Sequence, residues 1–488
     1  MSFKKSLFKN LLTLGGYNYS SQIANFLASI VLSRLLLPEE YGYVALITVF
    51  TGFVVMFADA GLSFAIIRSD YGHTFHRAIT NLSFYIGVFL FLIMCVLAYP
   101  IAYFYGDLTL VGPTLVMSLT FIIGAFKIAP MAVFSKELDF NYVGKVRLVA
   151  NMVSIGLMIL FAFMGLSYWS LILPQLFLHL VQYIMFDYKL RLGFRFYPWS
   201  YTVVAFKKTK SLITNLSGFN LINYWARNAD NLIIGKYYSS YDLGIYNRAY
   251  KMLQLSLSLI TGLFGMVLYP SLKKFKDEGG DVKSEYSSIL GIISFLNFPI
   301  GAVLILIPVP FVQLLWGENW IQVADLLPYF GLLIFFQTMI STTGHIYILL
   351  ERERTFMIVG VISAALMVAA IITGAFFSME MVVVLYSSVY MLIIVPYHLY
   401  IGFVKTFGFD WSYIIRFWVP KLLIGAGLLI SIYFYDYINQ VEINLNKQLD
   451  LSFALQIALV TTFLIHLIYF QRNELGKLHQ LIRQRFKS

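Results

Sequence analysis

The sequence predicts an all-α polytopic membrane protein with about 14 transmembrane helices, arranged as two six-helix lobes followed by a C-terminal helix pair. Three observations carry this. Hydrophobic residues fill 59% of the 488 positions and charged residues 12%, against about 25% charged in a soluble domain whose surface must be wetted. Apolar stretches recur from Leu11 to Phe470, at the roughly 20 residues that a hydrocarbon core about 30 Å thick requires. Lys and Arg are absent from long intervals and gathered between them.

Those intervals set the elements. No Lys or Arg lies between Arg77 and Lys127, Arg147 and Lys189, Lys283 and Arg352, or Arg354 and Lys405. Each interval holds two spans and a turn, and each starts and ends near basic residues, so each reads as a hairpin with both ends cytoplasmic. Lys9–Arg68, Lys210–Lys273 and Lys421–Arg472 are nearly as clean. The spans fall near 11–35, 41–67, 78–103, 109–134, 145–165, 167–189, 211–236, 241–269, 286–310, 321–349, 355–377, 380–404, 415–436 and 450–471, with both termini inside. The expected divisions are an N-terminal lobe (1–200), a C-terminal lobe (201–406), an extra helix pair (407–471) and a basic amphipathic tail (472–488). In the tail Leu475, Leu478, Ile482 and Phe486 recur at helical spacing among basic residues. That pattern suits a helix on the anionic inner leaflet or a solvated charged end.

Other features bound the function. Aromatic residues reach 17%, with Tyr41, Tyr43, Trp169, Trp199, Trp316, Trp320 and Trp411 near span ends, as headgroup-level anchoring favours. A single Cys95 excludes disulfides and thiolate metal sites; no metal site and no bound cofactor are expected. Leu11–Leu37 is too long and too polar for a cleavable signal and reads as the first transmembrane helix. The outer connections are too short for a catalytic domain, and no paired carboxylates, His-Asp dyad, nucleophile elbow or glycine-rich phosphate loop occurs in the exposed segments. The expectation is therefore a transporter and not an enzyme.

An internal repeat underlies the lobes. At an offset of 202, Leu14-Gly15-Gly16-Tyr17-Asn18 meets Leu216-Ser217-Gly218-Phe219-Asn220, and Pro38-Glu39-Glu40-Tyr41-Gly42 meets Ser240-Tyr241-Asp242-Leu243-Gly244. At 216, the run from Lys136 to Gly144 meets the run from Arg352 to Gly360. Six spans per repeat give both lobes the same orientation.

Charge inside hydrocarbon costs about 2.5–3.5 kcal/mol on insertion scales, so ionisable residues within spans mark cavities or partners. Asn220, Asn223, Arg227 and Asp230-Asn231 share one face of the seventh span. Arg248, Lys251, Gln254 and Ser258 share one face of the eighth. The first span carries Asn18, Ser21-Gln22, Asn25 and Ser29, and the 202 offset matches Asn25 to Arg227. Arg227, Arg248 and Lys251 with only Asp230 nearby predict a positive cavity that takes a phosphate or pyrophosphate, while Asn25, Asn220 and Asn223 suit sugar hydroxyls. The competing reading pairs Arg227 with Asp230 and lets Arg248 and Lys251 snorkel. Lys127 reads equally as a cavity residue or a snorkelling one. Asp59 suits ion coupling or pairing with Arg68 or Lys136. His345 and His398 are titratable but read first as satisfied side chains.

These motifs carry a resemblance. The Glu/Asp-x-Gly turn after spans 1 and 7, Asp59-Ala60-Gly61-Leu62, and the Lys/Arg-Glu-x-x-Phe element after spans 4 and 10 resemble the polysaccharide transporters of the MOP exporter superfamily. The run from Arg227 to Gly235, then Leu243-Gly244-Ile245-Tyr246-Asn247-Arg248-Ala249, is similar to Wzx-type O-antigen and colanic-acid flippases. The resemblance implies a V-shaped bundle in the bacterial inner membrane that moves an undecaprenyl-pyrophosphate-linked glycan by alternating access. It also implies proton or sodium coupling, and partners such as a polysaccharide polymerase and a chain-length regulator, with no nucleic acid. Multidrug efflux and lipid II flipping are the alternatives on the same fold.

Overall fold

A computed structural model describes residues 3–59, 61–68, 72–191, 193, 198–265, 268–423, 425 and 427. All regular structure among them is helical. The chain forms two compact units, Met1–Asn247 and Arg248–Ser488.

The first unit holds α1 (Phe3–Leu35), α2 (Pro38–Asp59), α3 (Leu62–Arg68), α4 (His73–Tyr105), α5 (Val111–Lys136), α6 (Phe140–Phe163), α7 (Trp169–Leu190), α8 (Trp199–Tyr237) and the start of α9 (Ser240–Gly265). The second holds the rest of α9, then α10 (Leu268–Asp277), α11 (Val282–Leu306), α12 (Pro308–Leu315), α13 (Val323–Ser341), α14 (Thr343–Leu349), α15 (Glu353–Ala375), α16 (Met379–Val389), α17 (Val395–His398) and α18 (Trp411–Phe417). Tyr390–Ile394 and Leu399–Thr406, either side of α17, are π-helical.

Among the described residues nine helical stretches are long and apolar enough to cross a membrane: α2 with α3, α4, α5, α6, α7, α11, α13 with α14, α15, and α16 onward to Thr406. Three more helices stand at predicted span positions, α1, α8 and α9. They are 33, 39 and 26 residues long, and they are the three that carry the polar stripes, which lowers their hydropathy. Most of the second half of the predicted span at 415–436 and all of the span at 450–471 lie outside the described residues, as does the tail.

In the first unit α8 packs on α2, α3 and α4. Trp225 lies against Phe50 and Phe53, with ring centroids 6.0 and 5.0 Å away, and the Tyr224 hydroxyl donates to the Val49 carbonyl at 2.7 Å. This packing is why α8 belongs to the first compact unit, whereas the repeat would begin the second lobe near residue 201. Between α2, α4 and α5, Val54, Leu90, Met94, Ile101 and Phe121 form one buried cluster. In the second unit α13 is almost wholly enclosed, with Phe298 of α11 stacked on its Phe335 at 4.2 Å. Faces left open are apolar: Met357, Val361 and Ile372 on α15, and Phe89 and Val96 on α4. Such faces suit lipid, since no hydrogen-bonding group is stranded there.

The repeat is visible in hydrogen bonds and packing. At the start of α2 the Leu37 N–H donates to the Glu40 carboxylate at 2.7 Å. At the start of α9 the Ser239 N–H donates to the Asp242 carboxylate at 3.1 Å, the same positions 202 residues on. The two turns also touch. A Cβ placed on Gly42 would sit 1.7 Å from the Ser240 carbonyl oxygen, and one on Gly244 would sit 1.9 Å from the Pro38 carbonyl oxygen. Pro38 pairs with Ser240 and Gly42 with Gly244 under the offset, so the contact is reciprocal, as a local two-fold requires.

Elsewhere Asp139 caps α6 by accepting the Tyr142 N–H at 3.1 Å and pairs with Lys189 of α7 at 2.7 Å. Partial burial works against its ionisation, but the Lys189 and Tyr142 hydrogen bonds outweigh that and hold its carboxyl below the ordinary range.

Two outcomes are expected. Gly42→Ala and Gly244→Ala each destabilise the protein by about 1–3 kcal/mol in detergent melts, because a backbone carbonyl blocks the methyl group. Gly156→Ala, with nothing within 4 Å, does not; equal effects at all three sites would refute the crossing. The Asp139 contribution is complete above the unfolded carboxyl range and is lost as pH falls through the depressed folded value. Asp139→Asn should therefore flatten the acid limb of the melting profile.

Candidate functional site

On α1, Asn18 and Asn25 are exposed, seven residues apart and so within about 20° of each other around the helix. Ile23 and Leu27 are also exposed, about 140–180° away from Asn18. Opposite faces of one helix are thus open, one polar and one apolar. The apolar face suits lipid; hydrocarbon would leave the amides of the polar face without partners. Between these faces α1 rests on α6, where the Tyr17 hydroxyl donates to Asn141 Oδ1 at 3.0 Å.

The matching face on α8 behaves alike at the repeat-equivalent position. Arg227 is exposed, about 13 Å along the axis from Lys236 near the helix end. It does not neutralise Asp230. Asp230 is buried, receives the Tyr246 hydroxyl at 2.7 Å, and accepts the Asn231 backbone N–H at 2.8 Å. Among the described residues no carboxylate pairs with Arg227. The side chains of Asn220 and Asn223 lie outside the described residues. At the end of α8, Lys236 donates to the Phe104 carbonyl and sits 4.6 Å from the Phe104 ring centroid, as an interfacial anchor would.

In the second unit the two α9 cations part company. Arg248 is 3% exposed. Its guanidinium carbon lies 4.3 Å from the Trp320 ring centroid and 5.3 Å from that of Trp316, and both indoles are buried. A flat, weakly hydrated cation is well matched to aromatic faces. Arg248 thus faces an aromatic pocket and not an open surface, unlike the predicted cation cluster. Lys251, one turn on, is exposed, as is Gln254. Ser258 turns back to the Leu255 carbonyl at 2.9 Å.

Lys127 does not snorkel. From α5 its ammonium reaches α7, 2.8 Å from His179 Nδ1 and 2.6 Å from Gln182 Oε1. Sequence reading passed over His179 and Gln182, although polar residues at i and i+3 in an otherwise apolar span are the available signal. Asp59 accepts the Ser63 N–H at 2.9 Å and so caps α3. His398 is buried against the Ser363 hydroxyl at 3.1 Å. Among the described residues no group of three His, Cys, Asp or Glu could hold a metal ion.

Comparison with known proteins places this architecture. A family model described as polysaccharide biosynthesis protein matches residues 31–325. The chain is 26% identical over 310 residues to an uncharacterized membrane protein of the cps region of Klebsiella pneumoniae, covering 62% of this chain and 63% of that one. It is 23% identical over 308 residues to the teichuronic acid biosynthesis protein TuaB of Bacillus subtilis strain 168 (62% of each chain). It is 24% identical over 312 residues to the lipopolysaccharide biosynthesis protein WzxC of Escherichia coli K12, again 62% of each. The matches thus span less than two thirds of these relatives. In fold it is similar to the lipid II flippase MurJ in an inward closed conformation (TM-score 0.64, 14% identity, 95% of this chain and 99% of that one). It is also similar to an inward-facing MATE family multidrug resistance transporter of the MOP superfamily (TM-score 0.56, 14% identity, 84% and 95%). The chain therefore has the MOP-type helical membrane fold and belongs to the polysaccharide biosynthesis protein family.

Proposed function

We propose that this protein is a flippase. It carries an undecaprenyl-pyrophosphate-linked oligosaccharide from the inner to the outer leaflet of the bacterial cytoplasmic membrane, by alternating access, for O-antigen, capsule or exopolysaccharide synthesis. The observation that carries the reading is the pair of exposed basic side chains far from helix ends. Arg227 lies about 13 Å from Lys236, and Lys251 about 16 Å from the start of α9. Neither has a carboxylate partner among the described residues. An unpaired cation at that depth is costly in lipid and is useful where a diphosphate passes. Arg supplies a planar fork and Lys a point charge to its oxygens. Exposed Asn25 offers an uncharged amide to sugar hydroxyls.

Membership of a polysaccharide biosynthesis family supports a glycan cargo, as do the relatives from teichuronic acid and lipopolysaccharide biosynthesis. Both termini are cytoplasmic in this reading. A polymerase and a chain-length regulator act downstream, and a proton or sodium gradient drives the cycle. The same fold serves drug efflux, but cationic drugs favour acidic or neutral linings, and the exposed mid-helix charges here are basic. Lipid II flipping shares the anionic group and differs in the glycan.

Deletion of the gene followed by lipid extraction tests this. Completed lipid-linked glycan should accumulate facing the cytoplasm while surface polymer disappears, and the accumulated glycan identifies the cargo. Unchanged polymer with new drug sensitivity would move the function to efflux; accumulated lipid II would move it to peptidoglycan. In the complemented strain, Arg227→Ala and Lys251→Ala should each cut export about tenfold or more, the scale of a charge-assisted hydrogen bond, at normal protein levels and melting temperature. Arg248→Ala should instead lower the melting temperature, because it empties the space between two indoles. Wild-type export by both Ala variants of Arg227 and Lys251 would sink their assignment.

A further inference from the structure

The contact between α5 and α7 contains a chemical restriction. Lys127 Nζ is 2.8 Å from His179 Nδ1. A bond of that length needs one proton between the two nitrogens. Either the ammonium donates to a bare Nδ1, or a protonated Nδ1 donates to a neutral amine. With the ammonium as donor the imidazole is neutral, its proton on Nε2, and the pair holds a single positive charge. Gln182 Oε1, 2.6 Å from the same ammonium, can only accept, which favours the first arrangement with Lys127 as donor.

A second proton would convert both groups into donors facing each other, and the bond could not persist. No carboxylate among the described residues contacts the pair. Arg147 of α6 directs its guanidinium to the Met131 sulfur of α5 at 3.6 Å, one turn along the helix from Lys127, and brings further positive charge to this contact. Tyr183 of α7 packs its ring on Phe126 at 5.3 Å. Val54 of α2, Leu62 of α3, and Ile79 and Leu82 of α4 belong to the apolar clusters around α5, and α4 also buries the titratable His76.

We infer that Lys127 and His179 form a proton-binding site whose second proton opens the contact between α5 and α7. The proton comes from water and takes the Nδ1 lone pair of His179 as the Lys127 N–H leaves it. Lys127 keeps its own proton, and the two cations separate. Opening is easiest at the ends of these helices away from the Asp139–Lys189 ion pair, which pins the other ends at 2.7 Å. The inference does not depend on the identity of the cargo.

The test uses the full chain in lipid nanodiscs without substrate. Nitrogen-15 histidine spectra, with the His179 signals assigned by their loss in His179→Gln, report the Nδ1 proton across pH. Spin labels at the exposed positions Leu108 and Met164 report the separation of the free ends. In the wild type, His179 should start with a bare Nδ1 and gain a proton in one step as pH falls, and the label distance should lengthen in the same step. Glutamine accepts from Lys127 without titrating, so His179→Gln should keep the short distance at every pH. In Lys127→Met, His179 should still titrate while the distance no longer follows it. A protonated Nδ1 throughout, or a distance change that survives in either variant, would overturn the proposal. Both readouts are silent about glycan export, so failure of the flippase reading would leave them standing.

Discussion

Hydrocarbon offers no hydrogen bonds, and that constraint organises this molecule. It forces every crossing segment into a helix, whose backbone satisfies itself. It then acts on side chains: any polar group on a span must find protein, water or a partner. Among the described residues, nine helical stretches long and apolar enough to cross a membrane meet this largely with apolar open faces. The three that do not, α1, α8 and α9, present Asn25, Arg227 and Lys251. Departure from apolarity thus sets these three helices apart.

The protein answers the same electrostatic problem in several ways. Arg248 is enclosed by the π faces of Trp316 and Trp320. Asp230 is buried but saturated by Tyr246 and the Asn231 amide. Lys127 leans on a histidine and a glutamine. Those three charges are fixed in place by neighbours and contribute to a particular packing. Arg227 and Lys251 have no carboxylate partner among the described residues and keep exposed side chains.

The reciprocal crossing of Gly42 and Gly244 ties the repeat to a physical contact. Two equivalent turns, each capped by an acidic side chain three residues on, meet with carbonyl against glycine. Only a residue without Cβ permits backbones to approach that closely, so the glycine at the fifth position of both motifs has a steric cause.

The sequence alone determined the helical membrane class, because about a 20-residue apolar run can only be a span. It also located the nine helical stretches that, among the described residues, are long and apolar enough to cross a membrane, because Lys and Arg gather at the ends of hairpins. The family was legible in the turn motifs and in the stretch from Arg227 to Ala249. It could name the polar stripes, since residues at helical spacing share a face. What it could not decide was the fate of each charge on a stripe. Arg248 and Lys251 lie one turn apart and look equivalent in one dimension, yet one side chain meets two indoles from distant parts of the chain and the other meets none. Asp230 stands three residues from Arg227, but Tyr246 on the next helix captured it. Lys127 found His179 some fifty residues away. In each case the partner is supplied by a different helix, and only the packing of helices brings it within a few ångströms.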